Sequence, residues 1–336
     1  MESTLFIHFH HAVCDGVGIF QFLHEILLEY AAAHGPVEQI PRLDFDRWER
    51  LRRGPFALPI AQQLTFAARQ FMNLWAVPGF MQRLPSALLS HPAEPHDGAP
   101  AASDASFTGA VRLTSNETSA LQQAARRLKV TVNDLLLCDL FLAIQEWRKS
   151  QESQRPKDWL RVAVPINLRT PDDHNVPASN ILSMVFLDRS GLNFDDPGAL
   201  LHGVSHEMKR HRKRHMSQLL RVALALGRRL PGGLKKHLWA NKCLVSSMLS
   251  NLGRLFEYSP LQDGGGRLVV GDVTLQSVDA LSPLRPHMQA AFVAGSYAGR
   301  LWITYHFDSR AMSRIQAQEL MSAFHRRILA SSAAAE

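Results

Sequence analysis

Two adjacent histidines, His10 and His11, precede an aspartate and a glycine in the run His10-His11-Ala12-Val13-Cys14-Asp15-Gly16. An imidazole titrates near neutrality, so it can take a proton from an alcohol or amine as that group attacks a thioester carbonyl. Residues 5–11 read as a short strand bounded by Met1-Glu2-Ser3 and the Asp15-Gly16 turn. In a regularly extended chain Leu5, Ile7, Phe9 and His11 share one face. His11 is therefore expected to continue an apolar row and point into protein, where partial burial would hold it neutral. Asp15 is expected to orient the loop rather than react, with Gly16 and Gly18 permitting a tight entry to the next helix. The same residues admit two other readings. The histidines could be a satisfied pair at a strand end, or His8 and His10 could join Cys14 or Asp15 as metal ligands. Metallo-hydrolase strings of the form His-x-His-x-Asp-His place an aspartate two residues after the second histidine, where this chain has Ala12. No metal is expected.

The pattern His-His-x-x-x-Asp-Gly resembles the active-site signature of the chloramphenicol-acetyltransferase-like superfamily. That superfamily includes CoA-dependent acyltransferases, wax ester synthase/diacylglycerol acyltransferases and the condensation domains of nonribosomal peptide synthesis. The resemblance implies that His11 is the general base, that His10 supports it, and that Asp15 faces away from substrate and pairs with an arginine. It implies an α/β fold, a two-lobed sandwich with mixed sheets. The first lobe is expected to be truncated, because only nine residues precede the motif. Acyl transfer would run directly between bound donor and acceptor, with no covalent enzyme intermediate and no permanently bound cofactor. Acyl-CoA is the favoured co-substrate and a carrier-protein thioester the alternative, with an alcohol or amine as acceptor. A non-catalytic binding module is a further alternative.

Later segments resemble the family in order and spacing. Thr131-Val132-Asn133-Asp134 is similar to a Thr-Val-Asn-Asp segment of the wax ester synthase relatives. Local physics accounts for it without catalysis, because Thr131 can cap a helix with Asp134 in its first turn. Pro165-Ile166-Asn167-Leu168-Arg169 and Ser179-Asn180 resemble elements that line the channel near the catalytic histidine. Arg169 is the expected partner of Asp15, and Asn180 or Ser183 could donate to a developing oxyanion. Turn chemistry and an ordinary strand position are the competing readings of those two. Ser250-Asn251-Leu252-Gly253 resembles a late channel loop, which makes Asn251 a further candidate, although the Asn-x-Pro-Gly-Pro wording of wax synthases is absent.

The surrounding elements read as follows. Residues 17–33 form an amphipathic helix with Ile19, Phe22, Leu23, Ile26 and Tyr30 inward and Gly35 as a stop. Helices are expected at 45–53 and 58–75, and the aperiodic stretch 90–106 is a linker. Residues 1–90 would be the remnant of the first lobe, 91–106 the crossover and 107–330 the second lobe. That lobe starts with a strand over 107–113. Helices follow at 115–128, with Leu121, Ala124, Ala125 and Leu128 inward, and from Val132 to about 151. Strands are expected at 160–165, 181–187, 267–278, 288–296 and 300–306. A helix over 313–329 would start from Asp308 or Ser309.

The chain has 336 residues and a formal charge of +7. Its three cysteines argue against a disulfide framework, and no targeting or spanning segment is visible, so a cytoplasmic location is expected. Between Met208 and Phe256 there are twelve Lys or Arg and no Asp or Glu, which leaves the rest of the chain at −5. Residues 206–236 combine this basic run with Leu219, Leu220, Val222, Ala223, Leu226 and Leu230 at helical spacing. A solvated face, an anionic membrane surface and a polyanion such as the CoA phosphates are the readings of such a stretch. No nucleic-acid fold signature stands beside it, so nucleic acid is not an expected partner.

Overall fold

A computed structural model of the chain describes residues 2–34, 43–53, 65, 82–90, 106–155, 157–173, 175–213 and 243–333. The element order is α1 (Gly16–His34), α2 (Phe45–Arg53), β1 (Ser106–Arg112), α3 (Ser115–Arg127), α4 (Val132–Ser150), β2 (Trp159–Asn167) and β3 (Leu182–Ser190). It continues with α5 (Pro197–Lys213), β4 (Ser247–Arg254), β5 (Val269–Val270), β6 (Val273–Thr274), β7 (Ala290–Tyr297), β8 (Arg300–Asp308) and α6 (Arg314–Ala333). Six strands form one mixed sheet in the order β1-β8-β7-β4-β2-β3. The inner pairs β2–β4 and β4–β7 are parallel and the remaining three are antiparallel. Parallel strands lie in the middle of such sheets because both of their faces are covered. β7, Ala-Ala-Phe-Val-Ala-Gly-Ser-Tyr, is accordingly buried almost throughout.

Alternation along the strands divides the core in two. On one face Val162, Val164, Val185, Leu187, Leu249, Phe292, Ile303 and Phe307 pack under the helices α3, α4 and α6. On the other, Val293, Tyr297 and Trp302 receive Phe20 of α1, while Ala163, Met184, Met248, Met288 and Ala291 form a methionine-rich cluster. The segment before the expected linker belongs to the main core. Leu88 and Leu89 are buried there, the Leu88 carbonyl accepts from buried Arg148 at 3.0 Å, and Leu89 N–H donates to Gln289 at 2.7 Å.

Locally determined features match the sequence closely. Thr114 with Glu117 and Thr131 with Asp134 form reciprocal capping boxes at the starts of α3 and α4. Five expectations need correction. Residues 5–10 form no strand, since no described strand pairs with them, and Leu5 and Phe6 are 70% and 90% exposed. α1 is rotated, burying Phe20, Leu28 and Ala31 while Phe22, Ile26 and Tyr30 face outward. Nine of the thirteen residues of α1 from Ile19 to Ala31 are apolar, so several stripes compete and tertiary packing chooses among them. Leu128 is exposed, because Lys129 adopts φ 56° and the chain leaves the helix there. α6 is capped by Ser313, which exchanges bonds with Gln316, while Asp308 is engaged by Arg310. The expected 267–278 strand is reduced to the two-residue ladder β5–β6. Helix 58–75 apart from residue 65, Gly35, most of the 90–106 linker and residues 214–236 fall outside the described residues.

Candidate functional site

The motif forms a turn followed by a helix start. Val13 N–H donates to the His10 carbonyl at 2.9 Å, and Ala12 N–H to His10 Nδ1 at 3.3 Å, so His10 shapes the turn. Asp15 is buried and both of its carboxylate oxygens are engaged. Oδ1 accepts from Gly18 N–H at 2.8 Å, which caps α1. Oδ2 accepts from Ile181 N–H at 2.6 Å and from Arg169 Nη1 at 2.8 Å. The Asp15 and Arg169 side chains are only 3% and 5% exposed, so this is a dehydrated ion pair held by further bonds. Arg169 Nη2 donates to the Ser179 carbonyl at 2.8 Å, and the same carbonyl accepts from Asp15 N–H at 3.3 Å. Asn180 Nδ2 donates to the His11 carbonyl at 2.8 Å.

Close packing completes the lock. A methyl group at Gly18 would stand 2.6 Å from the Ser179 carbonyl and 2.6 Å from Cys14 Sγ. One at Gly16 would stand 2.7 Å from a Leu252 methyl. Burial, with Asp15 adding to it, pushes the Cys14 thiol up to about 11, so it packs as an apolar group. Behind the lock, Asp44 caps α2 and donates its own N–H to the Asn175 carbonyl at 2.8 Å. Arg47 of that helix pairs with Asp173, which in turn accepts from Thr170 beside Arg169.

The structure thus brings Asp15, Gly16, Arg169 and Asn180 together around the backbone of residues 11–18. The His11 side chain, expected inward, is exposed, because the extended row that would carry it inward does not form. Asn180 engages its amide on the His11 carbonyl, which makes it a positioning group rather than a free oxyanion donor. Ser183 is buried and shares parity with Val185 and Leu187, on the helix-covered face of the sheet, away from α1. Asn251 Oδ1 accepts from Gly253 N–H at 2.9 Å, which is turn chemistry. Ser250 and Leu252 have the parity of Met248, and through Leu252 this side of β4 meets the motif. Strand alternation is the signal that would have favoured Ser250 over Asn251. Among the described residues no three His, Cys, Asp or Glu side chains gather as a metal set. None of the described helices is long and apolar enough to cross a membrane.

No protein-family model matches the chain, and no curated protein matches it. Solved structures do. The first condensation domain of the CDA synthetase aligns with 96% of this chain and 63% of its own, at TM-score 0.62 and 14% identity. The epimerization domain from the third module of tyrocidine synthetase B aligns over 97% and 68%, at TM-score 0.60 and 14% identity. The EpoB cyclization-docking bidomain from Sorangium cellulosum aligns over 96% and 58%, at TM-score 0.62 and 13% identity. The chain therefore spans between 58% and 68% of the length of these structures. These structures share the mixed α/β fold of this chain.

Proposed function

We propose that this chain is an acyl-transfer domain in which His11 acts as general base toward an alcohol or amine attacking a thioester. The observation that carries this reading is the Asp15–Arg169 lock. A dehydrated ion pair, two backbone hydrogen bonds to Asp15 and the Asn180 bond all hold the backbone of residues 11–18, yet the His11 ring is left open to solvent. A loop restrained from behind with its imidazole free in front suits proton transfer to a bound ligand.

Similarity of fold to condensation domains favours a carrier-bound thioester over acyl-CoA as donor. The reaction would be a direct transfer: His11 Nε2 or Nδ1 takes the acceptor proton, the acceptor attacks the carbonyl, and the thiol leaves with a proton. His10 sustains the turn and does not reach the reacting atoms in this reading. A second reading, a non-catalytic binding module, draws on the exposure of the His11 ring, which hydrogen-bonds nothing among the described residues. Thiol release from an acyl-phosphopantetheinyl carrier protein and from acyl-CoA, measured with alcohol and amine acceptors, separates the two. Release should fall about 10²–10⁴-fold in His11→Ala. Release that His11→Ala leaves unchanged would exclude the base assignment, and no release from either donor would favour the binding module.

A further inference from the structure

We propose that the junction of α3 and α5 is an electrostatic docking surface for an anionic lipid bilayer. Arg126, Arg127 and Lys129 at the end of α3 and Lys209, Arg212 and Lys213 on α5 are all exposed. The two groups adjoin, because Lys209 Nζ donates to the Lys129 carbonyl at 3.3 Å. None of the six forms an ion pair among the described residues. Glu207, the nearest acid on α5, is already engaged by Arg189 at 2.9 Å and faces His211 and Arg210. The basic run of α5 was visible in the sequence, but its meeting with α3 was not.

Cations in the last turn of a helix complement its dipole, and each helix end presents roughly half a unit of negative charge. That accounts for a minority of six. Lys129 supplies a second observation. Its φ of 56° is left-handed, at the helix-end position where glycine is preferred and a side chain is penalised. A lysine stands there although no hydrogen bond or ion pair of its ammonium group among the described residues offsets the strain.

The character of the patch selects the occupant. A phosphopeptide site needs oriented, bidentate arginines, and among the described residues none of these guanidinium groups is held by a partner. A single-stranded nucleic acid needs exposed aromatic platforms, and the one ring next in sequence to these six on the two helices, His211, is buried against Glu207. Exposed cations around one exposed leucine, Leu128, suit a diffuse, fluid layer of negative headgroups. The apolar residues of α5, Leu200, Val204 and Met208, are buried in the core, so attachment is electrostatic rather than by insertion of this helix.

Flotation of the full chain with phosphatidylcholine vesicles, with and without phosphatidylserine, tests the proposal. Binding should require phosphatidylserine and weaken as salt rises. Each cation removed should lower the affinity about fivefold. Lys129→Gly should do so with thermal stability unchanged or raised, which separates the docking role from a structural one. A Lys129→Gly, Lys209→Ser, Lys213→Ser variant should lose about 100-fold, whereas Arg300→Ser on the β7–β8 turn should bind as the parent does. Absence of phosphatidylserine-dependent binding at low salt would overturn the proposal. So would undiminished binding by the Lys129→Gly and triple variants, or binding to duplex DNA or polyglutamate but not to vesicles.

Discussion

Asp15→Asn removes one unit of charge from the lock while keeping its shape. In the parent, Oδ1 caps α1 through Gly18, and Oδ2 is shared by Ile181 N–H and Arg169. An asparagine has a single oxygen, so one of these two acceptor sites becomes an NH₂ facing a donor. If the amide oxygen takes the Oδ2 place, the cap is lost, at about 1 kcal/mol. If it takes the other place, the NH₂ meets Ile181 N–H and the guanidinium. In both orientations Arg169 stays buried without a counter-charge, a loss of about 3–5 kcal/mol. Its remaining bonds to Ser179 and Asn167 favour the lower part of that range. Set against a stability of about 5–15 kcal/mol for a domain, the variant should fold but unfold at distinctly lower urea. Urea denaturation of Asp15→Asn, Arg169→Met and the double variant measures the effect, with the slope reporting whether the transition stays two-state. The double variant should lose less than the sum of the singles by about 2 kcal/mol, because removing both charges leaves neither stranded. A loss below about 1 kcal/mol for Asp15→Asn, additive with Arg169→Met, would refute the buried pair and with it the argument for a braced motif.

Three further outcomes are expected. Burial raises the Asp139 carboxyl to about 7, offset in part by a 2.7 Å hydrogen bond from Ser331; the folded state thus holds its proton more tightly than the unfolded one. Stability should fall as pH rises from about 4 through 7, by up to roughly 4 kcal/mol, and Asp139→Asn should flatten that slope in a pH series of denaturation midpoints. Gly18→Ala should cost about 1–3 kcal/mol, because the new methyl meets the Ser179 backbone, which cannot turn aside, as well as Cys14 Sγ; an unchanged melting temperature would contradict the close approach. Burial pushes Cys14 up to about 11 and Cys138 up to about 12, so at mildly alkaline pH iodoacetamide should label neither in the folded chain and both in denaturant, as read by mass spectrometry.

What could be read from the sequence was what short range determines. Thr114 and Thr131 cap their helices with residues three positions on, and no distant part of the chain enters that decision. β7 and β8 were placed within a few residues because their apolar runs leave few alternatives. Where a partner decides, periodicity misled. Residues 5–11 have strand composition, but a strand requires a neighbour to satisfy its backbone. The inward face of α1 depended on where Trp302, Val293 and Tyr297 lie, some 270 residues later. The Arg169–Asp15 pair came from resemblance to a family, since nothing local to either residue marks the other. Arg47–Asp173, which braces the Arg169 loop from behind, left no signal at all, being one more exposed-looking basic residue in a charged helix.

The motif and the groups that fasten it lie far apart along the chain: Arg169, Ser179 to Ile181, and Leu252. Each of those groups leaves the ribosome more than 150 residues after the histidines. The motif is therefore among the later parts to acquire a fixed shape, because contacts of such long sequence separation form slowly. A chain interrupted before Arg169 would carry both histidines and lack these distant groups that aim them.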